Sequence, residues 1–119
     1  MKTRMMFESQ KKQQRSVRRC PLVASVEVTE LQSGTLLSAR ISELGLGGCY
    51  VDALNPFPDG TLVYLRILRD QGVFETNAKV VYSDPKFGMG LAFAEMTSEQ
   101  GSLLQEWLAE IVIQLRPVS

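Results

Sequence analysis

Short runs of alternating apolar and polar residues, separated by turn residues, constrain the fold of this chain more than any other feature. Six segments of this kind lie within residues 23–93, and glycine, proline or aspartate stands between most of them. Alternation with a period of two is typical of strands that bury one face and expose the other. A chain of 119 residues with this pattern is predicted to form a single antiparallel β domain.

The first two predicted strands show the alternation most clearly. Their predicted inward positions are Ala24, Val26 and Val28 in the first strand and Leu37, Ala39 and Ile41 in the second. The fifth segment, residues 73–82, is long for one strand, and we predict a bend or bulge near Asn77. Six short strands suit a small closed barrel, because closure removes the exposed edges of a sheet.

The C-terminal segment has a different period. Two rows of apolar residues recur at i, i+4, namely Leu103, Trp107, Ile111 and Leu104, Leu108, Val112. This stripe predicts one amphipathic helix, and Thr97 with Gln100 matches a capping box at its start. The predicted fold is therefore mainly β, a six-stranded antiparallel β-barrel with a C-terminal α-helix that plugs an end or flanks a face.

Composition excludes several kinds of chemistry. The chain has no histidine, which removes histidine-dependent triads and histidine-ligated metal sites. Two cysteines, Cys20 and Cys49, are too few for a structural zinc site. The sequence allows one disulfide between them. The chain has no apolar run long enough to span a membrane, and its first residues lack the core of a signal peptide. We expect a cytoplasmic protein without cofactor or metal.

Charge is distributed unevenly along the chain. Residues 1–19 carry seven basic side chains and one acidic one, whereas the rest of the chain carries six basic and twelve acidic ones. We expect residues 1–13 to form a basic arm, either disordered or helical, and residues 14–116 to form the domain. A basic arm on an acidic body indicates an anionic partner. Nucleic acid, a nucleotide, a lipid surface and the body itself all remain open on this evidence.

Two segments are candidates for binding that partner. Residues 15–19 read RSVRR just before the first predicted strand, and residues 43–48 read ELGLGG in the predicted turn after the second. The start of one strand and the end of the next meet in an antiparallel hairpin, so we expect these segments to lie close together. Arginine matches phosphate oxygens and the O6/N7 edge of guanine, and glycines allow close approach. Glu43 can accept hydrogen bonds from guanine N1–H and N2–H.

Three segments together resemble the PilZ domain family over roughly residues 14–112. Arg15 and Arg19 form its RxxxR pair, and Pro21 follows as in many members. Residues 43–48 stand at the position of its (D/N)xSxxG motif, and residues 88–93, GMGLAF, resemble its last strand. The resemblance implies a six-stranded barrel with a C-terminal helix, bacterial second-messenger signalling and cyclic di-GMP as the ligand.

The resemblance also implies a set of ligand-binding residues. They are Arg15, Arg18, Arg19, Glu43, Gly45, Gly47 and Gly48. Arg15 and Arg19 would clamp guanine edges and phosphates, with Arg18 as a helper. The second motif departs from the family pattern at two positions, where Glu43 replaces Asp or Asn and Gly45 replaces Ser.

The function implied is that of a non-catalytic cyclic di-GMP receptor or adaptor. Ligand binding would order the N-terminal arm, and the changed surface would contact an unidentified protein effector. The alternative is a degenerate PilZ adaptor that binds a protein partner without nucleotide. A barrel that binds RNA or single-stranded DNA is disfavoured, because the body is acidic and few aromatic residues lie near the arginines.

Overall fold

Six antiparallel strands and one helix follow one another in the computed structural model, which describes residues 19–115 and the side chains of residues 19–113. The elements are β1 Arg19–Glu30, β2 Leu36–Gly45, β3 Gly48–Asp52, β4 Leu62–Arg69, β5 Gly72–Asp84, β6 Gly88–Phe93 and α1 Ser98–Leu115. The strands close into a barrel in the order β1-β2-β3-β6-β5-β4, and β4 pairs with β1. The predicted six-stranded barrel with a C-terminal helix is confirmed.

The interior of the barrel is filled by apolar side chains from all six strands. Val26, Val28 and Ile41 are fully buried, as the alternation predicted. The other predicted inward residues, Ala24, Leu37 and Ala39, are partly buried and pack against this core. The interior is a packed core because a barrel of this size leaves room only for side chains.

A bulge in β2 changes which side chains face outward near the end of that strand. Ile41 and Glu43 face consecutive residues of β3, so that Ser42 is one residue too many for regular pairing. By alternation alone Glu43 would lie on the inner face with Ile41. The bulge reverses this parity, and Glu43 is exposed while Leu44 is buried.

A second bulge lies in β5. Val80 and Tyr82 face consecutive residues of β6, and Val81 is the extra residue. The bend predicted near Asn77 is wrong, since Asn77 pairs in regular register with Tyr64. The bulge places Tyr82 on the outer face of the barrel instead of beside the buried Val80.

Both cysteines lie in the core as free thiols. Cys20 of β1 faces Leu44 of β2, and Leu44 in turn faces Cys49 of β3. Two strand spacings therefore separate the cysteines, about 9–10 Å between their Cα atoms. A disulfide requires less than about 7 Å, so the disulfide that the sequence left open does not form.

The helix packs on the barrel through its predicted apolar stripe. Leu104, Trp107 and Ile111 are buried against the core, whereas Val112, at the edge of the stripe, is 38% exposed. The guanidinium of Arg69 in β4 lies 5.5 Å from the centroid of the Trp107 ring. Burial of these side chains fixes the position of α1 against the sheet.

The start of α1 is held by its cap and by a strand. The backbone N–H of Gln100 donates a hydrogen bond of 3.1 Å to Thr97 Oγ1, which confirms Thr97 as the N-cap. The Gln100 side chain accepts a hydrogen bond of 2.8 Å from the backbone N–H of Glu75 in β5. Thr97 therefore caps the helix, whereas the Gln100 side chain fastens it to the barrel instead of completing the predicted capping box.

The predicted domain limits extend beyond the described residues. The basic arm, residues 1–13, and both ends of the predicted domain, residues 14–116, lie outside residues 19–115, so these limits stay a prediction. Within the described part of the chain, no helix has the length and hydropathy needed to cross a membrane.

Candidate functional site

Arg19 stands at the very start of β1, directly opposite Gly45 at the end of β2. The predicted meeting of the arginine segment with the glycine-rich segment is confirmed for this residue. The sequence placed Arg19 before the first strand, but it is the first residue of the strand, and strand pairing therefore fixes its backbone. The other two predicted arginines, Arg15 and Arg18, lie outside the described residues.

The Arg19 side chain lies across the outer face of the barrel. Its Nη1 donates to Glu43 Oε1 at 3.4 Å and to the Tyr82 hydroxyl at 3.5 Å. Burial lowers the pKa of Arg19, but the hydrogen bonds and charges of Tyr82 and Glu43 raise it, and the net shift is upward. Arg19 is therefore a permanent cation at a fixed place on the surface.

The glycine-rich segment is mostly strand. β2 continues through Gly45 and β3 begins at Gly48, so only residues 46–47 connect the two strands. Glycines between two strands are required either for a positive φ or for the close approach of another backbone. Among the described residues the glycines with positive φ are Gly34 and Gly60, which lie elsewhere, so the first explanation is wrong.

Close backbone approach is the correct explanation for Gly48. A Cβ on this residue would lie 2.0 Å from the carbonyl oxygen of Leu91 in β6. A Cβ on Gly47, in contrast, would meet no described atom within 4 Å. Gly48 is therefore required for strand packing, whereas Gly47 leaves open space beside the site.

Two tyrosines that the sequence analysis did not single out belong to the same surface. One row of residues crosses four strands, in which Glu43 faces Tyr50, Tyr50 faces Gly90 and Gly90 faces Tyr82. A Cβ on Gly90 would lie 2.4 Å from the Tyr82 ring, and one on Gly88 would lie 2.7 Å from the Tyr50 ring. Both rings therefore lie directly over the backbone of β6.

The two rings form a small aromatic floor beside Arg19. Their centroids are 6.1 Å apart and their planes differ by 32°. The Tyr50 hydroxyl donates a hydrogen bond of 3.0 Å to Asp84 Oδ2. Burial, and then this contact with Asp84, raises the pKa of Tyr50 to about 12, so the phenol is neutral at physiological pH.

A sequence signal for the tyrosines exists in retrospect. Residues 88 and 90 of the last strand are both glycine, and glycine inside a strand often marks the close approach of another group. The group that approaches here is an aromatic ring from each neighbouring strand. The identity of those rings depends on strand order and on the bulge at Val81, which periodicity does not reveal.

The acidic groups near the site are engaged with polar neighbours. Glu43 contacts Arg19, and Asp52 accepts a hydrogen bond of 3.0 Å from the Ser42 hydroxyl. Burial raises the pKa of the Cys49 thiol beneath this face to about 12, so the thiol is neutral. Within residues 19–115, no three His, Cys, Asp or Glu side chains are grouped so as to hold a metal ion.

The arrangement suits binding of a flat anion. A permanent cation, a carboxylate and two aromatic faces share one surface, with open space next to Gly47. A guanidinium recognises phosphate oxygens and the O6/N7 edge of guanine, and an aromatic face stacks on a base.

Comparison with known proteins gives the same fold. The sequence model of the PilZ domain matches residues 12–110. The structure resembles the PilZ domain with c-di-GMP of YcgR from Escherichia coli, with a TM-score of 0.69, 17% identity and coverage of 82% of this chain and 91% of that chain. No curated protein matches the sequence.

Two further solved structures share the fold. The PilZ domain of CeSA from a cellulose-synthesizing bacterium has a TM-score of 0.65 and 18% identity, over 80% of this chain and 98% of that chain. The inhibitor of motility MotI/DgrA from Bacillus subtilis has a TM-score of 0.68 and 22% identity, over 82% of this chain and 50% of that chain. At these identities the likeness concerns the fold.

Proposed function

The chain belongs to the PilZ domain family, and from that premise we propose that it is a non-catalytic receptor for cyclic di-GMP. The observation that carries the proposal is the position of Arg19, whose guanidinium contacts Tyr82 at the edge of an aromatic floor. The Arg19 cation beside two aromatic rings matches a ligand that combines phosphates with purine bases. The complex of the Escherichia coli PilZ domain of YcgR with c-di-GMP supports the choice of nucleotide.

The proposed site joins the predicted residues to the tyrosines. Its members are Arg15, Arg18, Arg19, Glu43, Gly45, Gly47 and Gly48, and we add Tyr50 and Tyr82, whose rings form the aromatic floor. The arginines would bind phosphate oxygens and guanine edges, and the ring faces would stack on a base. Stacking of one base on an aromatic side chain contributes about 1–3 kcal/mol.

The proposed mechanism uses the segment that precedes β1. Strand pairing anchors the chain at Arg19, and Arg15 and Arg18 come directly before it in the sequence. Two ligand phosphates would draw these arginines onto the barrel, at the entropic cost of fixing the segment. The fixed N-terminal residues would then present a new surface to a protein effector. We place this signalling in the cytoplasm, where free thiols such as Cys20 and Cys49 are usual.

A second candidate function is that of an adaptor that binds a protein partner without nucleotide. The observation that favours it is the second motif, where Glu43 and Gly45 stand in place of the usual Asp or Asn and Ser. Gly45 offers no hydroxyl to a ligand, and Glu43 contacts Arg19. Both candidates predict the same barrel, and they differ only in the effect of the nucleotide.

Thermal unfolding with and without nucleotide separates the two candidates. A ligand that binds only the folded state stabilises it by about 2.7 kcal/mol at a concentration about 100 times its Kd. The receptor function predicts a rise in melting temperature with cyclic di-GMP and a much smaller rise with cyclic di-AMP, which has equal charge but no guanine edge. No shift with cyclic di-GMP would support the adaptor, and equal shifts would indicate a general anion site.

A further inference from the structure

We propose that Glu43 determines the affinity of this site by competing with the nucleotide for Arg19. The inference rests on the proposed function, since it concerns the same site, and it makes Glu43 a competitor in place of the guanine acceptor that the sequence indicated. Glu43 Oε1 lies 3.4 Å from Arg19 Nη1, and this contact engages one of the guanidinium nitrogens that the ligand's phosphate or guanine edge would take. A ligand that binds through Nη1 therefore has to replace an ion pair that the protein itself supplies.

The length of the residue 43 side chain makes this ion pair possible. Arg19 faces Gly45, while Glu43 lies two residues before Gly45 in β2 and faces Pro21, so the pair spans a diagonal between the strands. The bulge at Ser42 turns Glu43 to the outer face. An aspartate would be shorter by one carbon–carbon bond, about 1.5 Å. Because the existing contact is already 3.4 Å long, aspartate would fall short of Arg19.

The same nitrogen of Arg19 also contacts the barrel on the far side of the site. Nη1 donates to the Tyr82 hydroxyl at 3.5 Å, so the guanidinium is held between β2 and β5. The side chains of Arg19 and Glu43 are 32% and 52% exposed, and water screens their attraction. Exposed ion pairs of this kind are weak, which sets the expected gain on removing the competitor at about 1.4- to 5-fold.

Two substitutions of Glu43 separate competition from the other roles this carboxylate can have. Glu43→Gln keeps the length but removes the charge, and Glu43→Asp keeps the charge but withdraws it from Arg19. If Glu43 competes for Arg19, both variants bind cyclic di-GMP more tightly than the wild type, by up to about fivefold. The gain should shrink at high ionic strength, because salt screens the pair that has been removed.

Calorimetric titration of cyclic di-GMP into the three proteins gives a distinct result for each alternative. Tighter binding by Glu43→Gln alone would mean simple repulsion between carboxylate and ligand, and would overturn the proposal. Tighter binding by Glu43→Asp alone would mean that the carboxylate contacts the ligand, and would also overturn it. Unchanged or weaker binding by both variants contradicts it as well. Absence of binding by all three proteins would show instead that the proposed receptor function fails.

Discussion

The ring of Tyr82 lies over the backbone of Gly90, at the place where a Cβ on residue 90 would be 2.4 Å from the ring carbons Cε2 and Cζ. Only glycine at this position lets the ring rest against the strand. The hydroxyl at the far end of the same ring accepts a hydrogen bond from Arg19. Because Gly90 of β6 has no side chain, the Tyr82 ring of β5 can lie against it, and the Tyr82 hydroxyl in turn contacts Arg19 of β1.

This relationship predicts different effects for two substitutions of Tyr82. Tyr82→Ala removes the ring and should weaken cyclic di-GMP binding by about 1–3 kcal/mol, or roughly 5- to 150-fold. Tyr82→Phe keeps the ring and loses only a 3.5 Å contact with Arg19, so it should bind within a few-fold of the wild type. Isothermal calorimetry measures both affinities. Equal losses in the two variants would show that the hydroxyl, and not the ring face, acts on the ligand.

Of the two adjacent glycines of the second motif, only Gly48 should lose stability on substitution by alanine. Gly48→Ala places a Cβ 2.0 Å from the Leu91 carbonyl oxygen, so β3 and β6 must separate, and we expect a loss of about 1–3 kcal/mol in unfolding free energy. Gly47→Ala is the matched control, since its Cβ would meet no described atom within 4 Å. Urea unfolding monitored by tryptophan fluorescence tests both. Similar stabilities would contradict the structural role assigned to Gly48.

A serine at residue 45 should strengthen the site. Gly45 lies buried in β2 opposite Arg19 and has no positive φ, so its backbone conformation suits any residue. The hydroxyl restores a hydrogen-bonding group of the family motif, which contributes up to about 1.5 kcal/mol or roughly tenfold in affinity. Gly47→Ser, with its hydroxyl in the connecting turn, should give no gain. Normal folding of Gly45→Ser without tighter binding would remove residue 45 from the ligand contacts.

Local alternation predicted the inward faces of β1 and β2 because burial on every second residue is a property of the strand itself. It did not predict the positions of Glu43 and Tyr82, since each follows a bulge that reverses the parity. A bulge reflects pairing with a neighbouring strand that lies elsewhere in the sequence. The close approach of Gly48 to Leu91 could not be predicted for the same reason, because Leu91 belongs to the last strand.

The meeting of Arg19 with Gly45 was predictable from the sequence because hairpin topology alone brings these strand ends together. The aromatic floor was not predictable, since it requires knowing that β6 lies between β3 and β5. Strand order in a barrel results from long-range pairing, whereas composition and periodicity report only on neighbours in the chain. The fold was therefore predicted more completely than the site.

Stability should fall at alkaline pH because of Cys49. Burial raises its thiol pKa from 9.0 to about 12, and the charge of Arg19 lowers it only partly. The unfolded state releases the thiol proton near pH 9, whereas the folded state keeps it. The contribution of the neutral thiol to the free energy of unfolding is therefore complete below pH 9 and is lost towards pH 12. The expected slope is about 1.4 kcal/mol per pH unit in that window.

The control for this prediction is Cys49→Ala, which removes the thiol and keeps the other titrating groups. Tyr50, whose pKa is also raised to about 12, contributes equally to the pH dependence of stability in both proteins. Urea unfolding at pH 8 to 11 should show a shallower decline for Cys49→Ala than for the wild type. Parallel declines would mean that the thiol is not held neutral by burial.

The proposed receptor function depends on a specific arginine clamp for cyclic di-GMP, and Arg19 is the member of that clamp that lies within the described residues. Charge-assisted hydrogen bonds contribute about 1.5–3 kcal/mol, so Arg19→Ala should weaken binding at least tenfold. Arg15→Ala should do the same by the family pattern. Arg4→Ala and Lys11→Ala are the controls, since each removes a basic residue outside that pattern.

Calorimetric titration of cyclic di-GMP into the wild type and these four variants is the most direct measurement. The receptor function predicts saturable binding by the wild type, affinities at least tenfold lower for Arg19→Ala and Arg15→Ala, and nearly unchanged affinities for Arg4→Ala and Lys11→Ala. Equal weakening by all four substitutions would indicate a diffuse electrostatic tail. No binding heat with the wild type, supported by an unchanged melting temperature, would contradict the receptor function itself.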